Sequence, residues 1–196
     1  GVDAASEALH VVRAIFAPDR HADPERGPST LGDCFLAPGE PCAVGPVDGY
    51  LAPALRLVGR SEQARIWTLQ IQLTIADLVT EAHDTHHPLG ASLYYEEQKP
   101  EAQRRAHEFC KLRLPKFAQW FEAVLVRNPA GPRHLVGGRL SYVDLSLFQL
   151  VQGLRYAFPK TTARELTYTP SVCELHDRVA AQPRVAAYLR SERRIA

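Results

Sequence analysis

Beyond residue 60 the apolar positions of this 196-residue chain fall three and four apart, the spacing of helices with one buried face. Ser61 opens the first as an N-cap. Ala64, Trp67, Leu69, Ile71, Leu73, Ile75, Ala76, Leu78 and Val79 carry it toward His86-His87-Pro88. Leu69 to Ile75 also alternates with period two, as a strand would, but the length of the run and its helical flanks favour helix. Pro88, Leu89 and Gly90 break it. A second long helix is expected from about Pro100 to Leu125, with Ala102, Ala106, Phe109, Leu112, Phe117, Trp120, Phe121 and Leu125 on its core face. Pro115 lies inside and should kink it. Asn128-Pro129-Ala130-Gly131-Pro132 reads as a loop.

The next helix start is unusually explicit. Ser141 is an N-cap residue, and Asp144, three positions on, is placed to accept the cap's backbone N–H in a short variant of the capping box. Leu140 and Leu145 are spaced as a hydrophobic staple, and Gly137-Gly138 permits a positive-φ approach. Ser141 and Asp144 are therefore structural cap residues. Val143, Leu147, Leu150, Val151 and Leu154 continue a largely buried helix to about Phe158. A break at Pro159 follows, then a helix from Pro170 to Ala181 and a last one from Pro183 to Arg190. Two long helices followed by shorter ones describe an all-α bundle.

The front of the chain is different in kind. Ala8, Val11, Val12, Ile15 and Phe16 form one short helical stripe, stopped by Pro18. Residues 18–54 then alternate proline and glycine without sustaining either period, as irregular coil, with short strands around Cys34-Phe35-Leu36 as the alternative. The expected division is an irregular segment over 1–54 and a helical domain over 55–196.

Composition narrows the function. With 45% hydrophobic residues the chain can bury a core, and 23 basic against 22 acidic residues favour neither nucleic acid nor an acidic membrane surface. There is no apolar run of 18 residues and no signal-peptide pattern, so no membrane partner is expected. Cys34, Cys42, Cys110 and Cys173 lack any CxxC pair and read as reduced thiols of a cytoplasmic protein. The chain has no methionine and begins with glycine, as expected of a trimmed chain or a fragment.

The most reactive-looking cluster is Glu81, His83, Asp84, His86 and His87, near the end of the first long helix. His83 with His86 or His87 has a spacing that can bind a metal, with Glu96, Glu97 or His107 as further donors. Local spacing fixes none of them. Histidines near a helix C-terminus also interact well with its dipole and free carbonyls, and no metal is expected. Tyr94 and Tyr95 would either add aromatic surface or cover the bundle end. The charges of Arg104, Arg105, Lys111, Arg113 and Lys116, with Glu101 and Glu108 interleaved, look like a solvated face.

The run Val136-Gly137-Gly138-Arg139-Leu140-Ser141-Tyr142-Val143-Asp144 resembles the cap-and-staple motif of the all-helical C-terminal domain of glutathione S-transferases. Trp120-Phe121-Glu122-Ala123-Val124-Leu125 resembles the helix end before that motif. Pro170-Ser171-Val172, Arg178-Val179-Ala180-Ala181-Gln182-Pro183 and Ala187-Tyr188-Leu189-Arg190-Ser191 resemble the family's closing segments. Gly49-Tyr50-Leu51-Ala52-Pro53-Ala54-Leu55 resembles the linker after its thioredoxin-like half. The resemblance covers about residues 50–196 and implies a glutathione S-transferase C-terminal-like bundle.

It further implies a cytoplasmic detoxifying transferase, with glutathione as co-substrate and a small hydrophobic electrophile as partner. His83, His86, His87, Tyr94 and Tyr95 would border the electrophile cleft. The family's glutathione-activating residue comes from the thioredoxin-like half. The shorter residues 1–54 show no βαβ rhythm, so catalytic residues are unassigned. Several classes offer an acid from the first long helix to the neighbouring subunit, where this chain has Gln70 and Gln72. A non-catalytic helical binding or interaction module is the alternative. A homodimer is the family assembly, and without the first half the apolar surface of the long helices is expected to be covered by residues 1–54.

Overall fold

The computed structural model describes residues 51–90 and 92–191, and every described regular element is helical. A single turn at residues 51–54 leads into α1, Glu62–His83. A 3₁₀ turn, Tyr95–Glu97, precedes α2, Lys99–Glu108, which runs through a π-helical segment, Phe109–Arg113, into α3, Leu114–Val126. The remainder is α4 (Tyr142–Ala157), α5 (Pro159–Tyr168), α6 (Pro170–Ala180) and α7 (Pro183–Leu189). The expectations for Ala8–Phe16, for strands near Cys34 and for Cys42 fall outside the described residues.

Helix α4 is the central element. Ten of its 16 residues are buried, and it packs against α1, α5 and α6. Ser141 and Asp144 form the predicted capping box. Oδ2 of Asp144 accepts the Ser141 backbone N–H and hydroxyl, each at 2.7 Å, while Oδ1 accepts the Leu135 N–H at 2.8 Å. The carboxylate has no solvent exposure, and these donors replace the water it gives up. Leu145 is buried and Leu140 packs against the same core, completing the staple. Gly137 has φ +62°, a region open to glycine at little cost. One residue into the helix, the Tyr142 N–H donates to the Leu57 carbonyl at 2.9 Å and ties down the chain entering α1.

Three expectations are corrected. The core register of the second long helix shifts at a π turn just before Pro115, where the Leu114 N–H donates to the Phe109 carbonyl, five residues back. Proline lacks the N–H an uninterrupted helix needs and crowds the preceding turn, and the wider turn relieves both. It also brings Phe109 and Leu114 inward and leaves Leu112, assigned to the core, 57% exposed. Next, the break at Pro159 is the first residue of a further helix, α5. Proline suits that position, and Thr162 anchors the turn by donating from Oγ1 to the Leu154 carbonyl at 2.9 Å. Finally, only Ile71, Ile75, Leu78 and Val79 of α1's long apolar run are buried hydrophobics. Ile66, Leu69 and Leu73 form an exposed stripe, with Trp67 tilted against Trp120 at 6.5 Å.

Helix α6 starts on a residue of another helix. The Glu122 carboxylate of α3 accepts the Ser171 and Val172 N–H groups, each at 3.1 Å, satisfying donors that no local side chain reaches. Between α4 and α6, the buried His176 ring stacks on Phe148 at 5.0 Å and accompanies Asp177 Oδ1 at 2.8 Å. Burial pushes its pKa down. The Asp177 hydrogen bond opposes the shift and the Arg155 charge reinforces it.

Two outcomes are expected. Asp144→Ala strands two buried backbone donors and should cost about 2–4 kcal/mol in chemical denaturation; a loss under about 1 kcal/mol would contradict the cap's role. For His176, the unfolded chain takes up a proton near pH 6.5 at which the folded ring stays neutral. Its contribution is therefore present above that pH and declines as pH falls through the lowered folded value. The denaturation midpoint should drop less between pH 7 and 5 in His176→Gln than in the parent, and equal drops would refute the assignment.

Candidate functional site

The sequence-predicted ring cluster forms where α1 ends. The Asp84 N–H closes the helix on the Thr80 carbonyl, and the chain turns through Thr85, whose Oγ1 donates to the Ala82 carbonyl at 2.7 Å. That turn gathers three imidazoles. His83 and His87 stack with centroids 5.4 Å apart, His86 and His87 lie 6.4 Å apart, and His86 meets the Tyr95 ring at 5.1 Å. Four of the five predicted residues thus form one array. Tyr94 is 68% exposed, and its backbone N–H donates to Glu97 Oε2 at 2.7 Å to start the 3₁₀ turn that carries Tyr95.

The residue that organises this segment carries no sequence signal. Gln98 sits between Glu97 and Lys99 and reads as surface, yet it is fully buried. Its Oε1 accepts the Leu89 N–H at 3.0 Å and the Gly90 N–H at 3.4 Å, while Nε2 donates to the Gly90 and Leu93 carbonyls, each at 3.1 Å. Nε2 also lies 3.2 Å from His87 Nδ1. One amide closes the loop between α1 and α2 and holds the ring array against it.

A bidentate ion pair braces the same end of α1. Arg113, in the π turn, donates to both Glu81 oxygens at 2.6 and 2.7 Å, and its guanidinium lies over the Phe117 ring at 5.2 Å. The Arg113 hydrogen bonds hold the Glu81 carboxyl below its ordinary range, against the opposing effect of burial; the Arg113, Arg105 and Lys116 charges add to the lowering. This contribution is present above the ordinary carboxylate range and fades as pH falls below it.

Among the described residues no group of three or more His, Cys, Asp or Glu side chains is arranged to hold a metal ion. No described helix is long and apolar enough to cross a membrane. Of the two glutamines where an acid is expected by resemblance, Gln70 is exposed and Gln72 is buried, with its Oε1 lacking a hydrogen bond. A cavity of about 30 Å³ under α4, lined by Leu78, Phe121, Leu147, Leu150 and Leu154, has room for little more than a water molecule and no aromatic ligand.

Gln98→Leu keeps the bulk of this hub and removes every hydrogen bond. The Leu89 and Gly90 amides should then exchange with deuterium markedly faster while those of α4 keep their protection. Unchanged exchange at both amides would show that Gln98 is not the organiser.

Comparison with known proteins agrees with the architecture. Residues 83–192, more than half of the chain, match the family described as Glutathione S-transferase, C-terminal domain. Glutathione S-transferase P 1 of Xenopus laevis is 27% identical over 81 residues, 41% of this chain and 36% of the relative, so the match spans about a third of that protein. A Pi-class glutathione S-transferase of Onchocerca volvulus shares the fold with a TM-score of 0.63 at 18% identity, covering 94% of this chain and 86% of the other. A carboxylate-capped central helix in an all-helical bundle and a family match across most of that bundle converge: the chain belongs to the glutathione S-transferase C-terminal domain family.

Proposed function

We propose that this chain supplies the electrophile-binding helical part of a cytoplasmic glutathione S-transferase, the thiol of glutathione attacking a hydrophobic electrophile held at the end of α1. Family membership supports the reaction class. The observation that carries the site is the array of His83, His87, His86 and Tyr95, four rings linked in series by centroid distances of 5.4, 6.4 and 5.1 Å. Stacked π-faces with polar edges suit a planar, polarisable acceptor, and Tyr94 adds exposed aromatic surface beside them. Glutathione is the co-substrate in this reading. Conjugation also needs a hydrogen-bond donor to stabilise the thiolate, and no described residue is assigned that role.

A second reading has its own support. The exposed stripe of Ile66, Leu69 and Leu73 beside Trp67 is apolar surface of the kind that marks a protein contact. A helical interaction module, homodimeric or not, would use that stripe without turning over glutathione.

Thermal denaturation with millimolar glutathione, paired with conjugation of an aryl halide, separates the two. An enzyme should gain several degrees from ligand binding to the native state and form the thioether. An unchanged midpoint together with no product would eliminate conjugation of glutathione by this chain.

A further inference from the structure

We infer that Gln98 fixes His87 as its Nε2–H tautomer, making His87 a hydrogen-bond donor of fixed position in the ring array and favouring ring ligands that carry an oxygen acceptor. This rests on the proposed site, and its first step does not depend on any ligand.

An amide side chain can be placed either way round when its partners are ambiguous. Here they are not. The Leu89 and Gly90 N–H groups can only donate, so the atom facing them, at 3.0 and 3.4 Å, is the oxygen. The Gly90 and Leu93 carbonyls can only accept, so the atom at 3.1 Å from each is the nitrogen. Reversing the amide would set oxygen against two carbonyls and NH₂ against two N–H groups inside a fully buried site. The orientation is forced.

It follows that the group 3.2 Å from His87 Nδ1 is a donor. Its two hydrogens serve three acceptors, so one is shared. Nδ1 must then present its lone pair, and the proton of the neutral imidazole resides on Nε2. The surrounding groups do not reverse this. His83 and His86 meet His87 through their rings, the Asp84 carboxylate lies 3.6 Å from His83 Nδ1, and Glu97 is engaged with the Tyr94 N–H. With Nδ1 occupied, Nε2–H is the remaining polar edge of His87 within the ring array. A nitro or carbonyl oxygen on an aromatic ligand can accept from it while the ring stacks. A hydrocarbon of the same shape leaves that donor unanswered.

The test is imidazole ¹⁵N NMR on the full chain near neutral pH. The parent should show His87 as a single Nε2–H tautomer. Gln98→Glu offers Nδ1 an acceptor and should move the proton onto Nδ1, a change that loosening of the loop alone would not produce. Gln98→Leu, which offers neither donor nor acceptor, should release His87 to populate both tautomers. A parent His87 that already populates both tautomers, or one protonated at Nδ1, overturns the inference and leaves the ring-array site intact. The ligand step is then read by titrating 4-nitrotoluene and 4-ethyltoluene against the same signals. The nitro compound should bind about two- to tenfold more tightly, and His87→Phe should erase the difference. Equal affinities in the parent overturn the donor role. A failure of both compounds to move any ring signal overturns the site reading itself, with the tautomer assignment still standing.

Discussion

A carboxylate sealed from water must be surrounded by donors, and the position of Asp144 rests on that requirement. Its two oxygens draw together the middle of the preceding loop at Leu135 and the start of α4 at Ser141. The direction in which α4 leaves the loop follows, and with it the placement of ten buried residues. Helices α1, α5 and α6 each pack on that helix. The Leu57 carbonyl, joined to the Tyr142 N–H, fixes the approach of the chain to α1 as well. The arrangement is polar at its origin and mostly apolar where it spreads, and an uncompensated donor at the origin costs more than a typical surface contact gains.

The ring-bearing end of α1 is organised by the opposite chemistry. A neutral amide, not a charge, holds the loop from Leu89 to Leu93, and every partner but His87 is backbone. Backbone partners constrain the loop while leaving its side chains free to define a surface. The Glu81–Arg113 pair adds a long-range brace from α1 to the π turn. Its two partly exposed side chains are screened by solvent, so it orients the segment more than it stabilises the fold.

Much of this was legible in the sequence where the signal was local. The cap at Ser141 and Asp144 and the staple at Leu140 and Leu145 are defined within six residues, and the structure reproduces them. So are the proline-started helices α6 and α7. Signals failed where a neighbour decided the outcome. Pro159 reads as a break because its effect as a helix opener depends on Thr162 reaching back to Leu154. Leu112 reads as core because periodicity assumes an uninterrupted turn, and one π-helical hydrogen bond resets the register. Within the site, aromatic and imidazole side chains could be read from spacing, and four of the five meet. Gln98 could not, because a lone glutamine between charged residues has the composition of surface. Its burial is a property of the loop folded around it.

The carboxylate that Glu122 lends to the first turn of α6 makes one helix's start conditional on another's arrival. No local side chain supplies that cap, so the start of α6 has little to nucleate on until α3 is in place. The tail's first backbone donors are thus satisfied only by a surface that α3 provides. The dependence runs one way, from the helix that holds the acceptor to the helix that holds the donors.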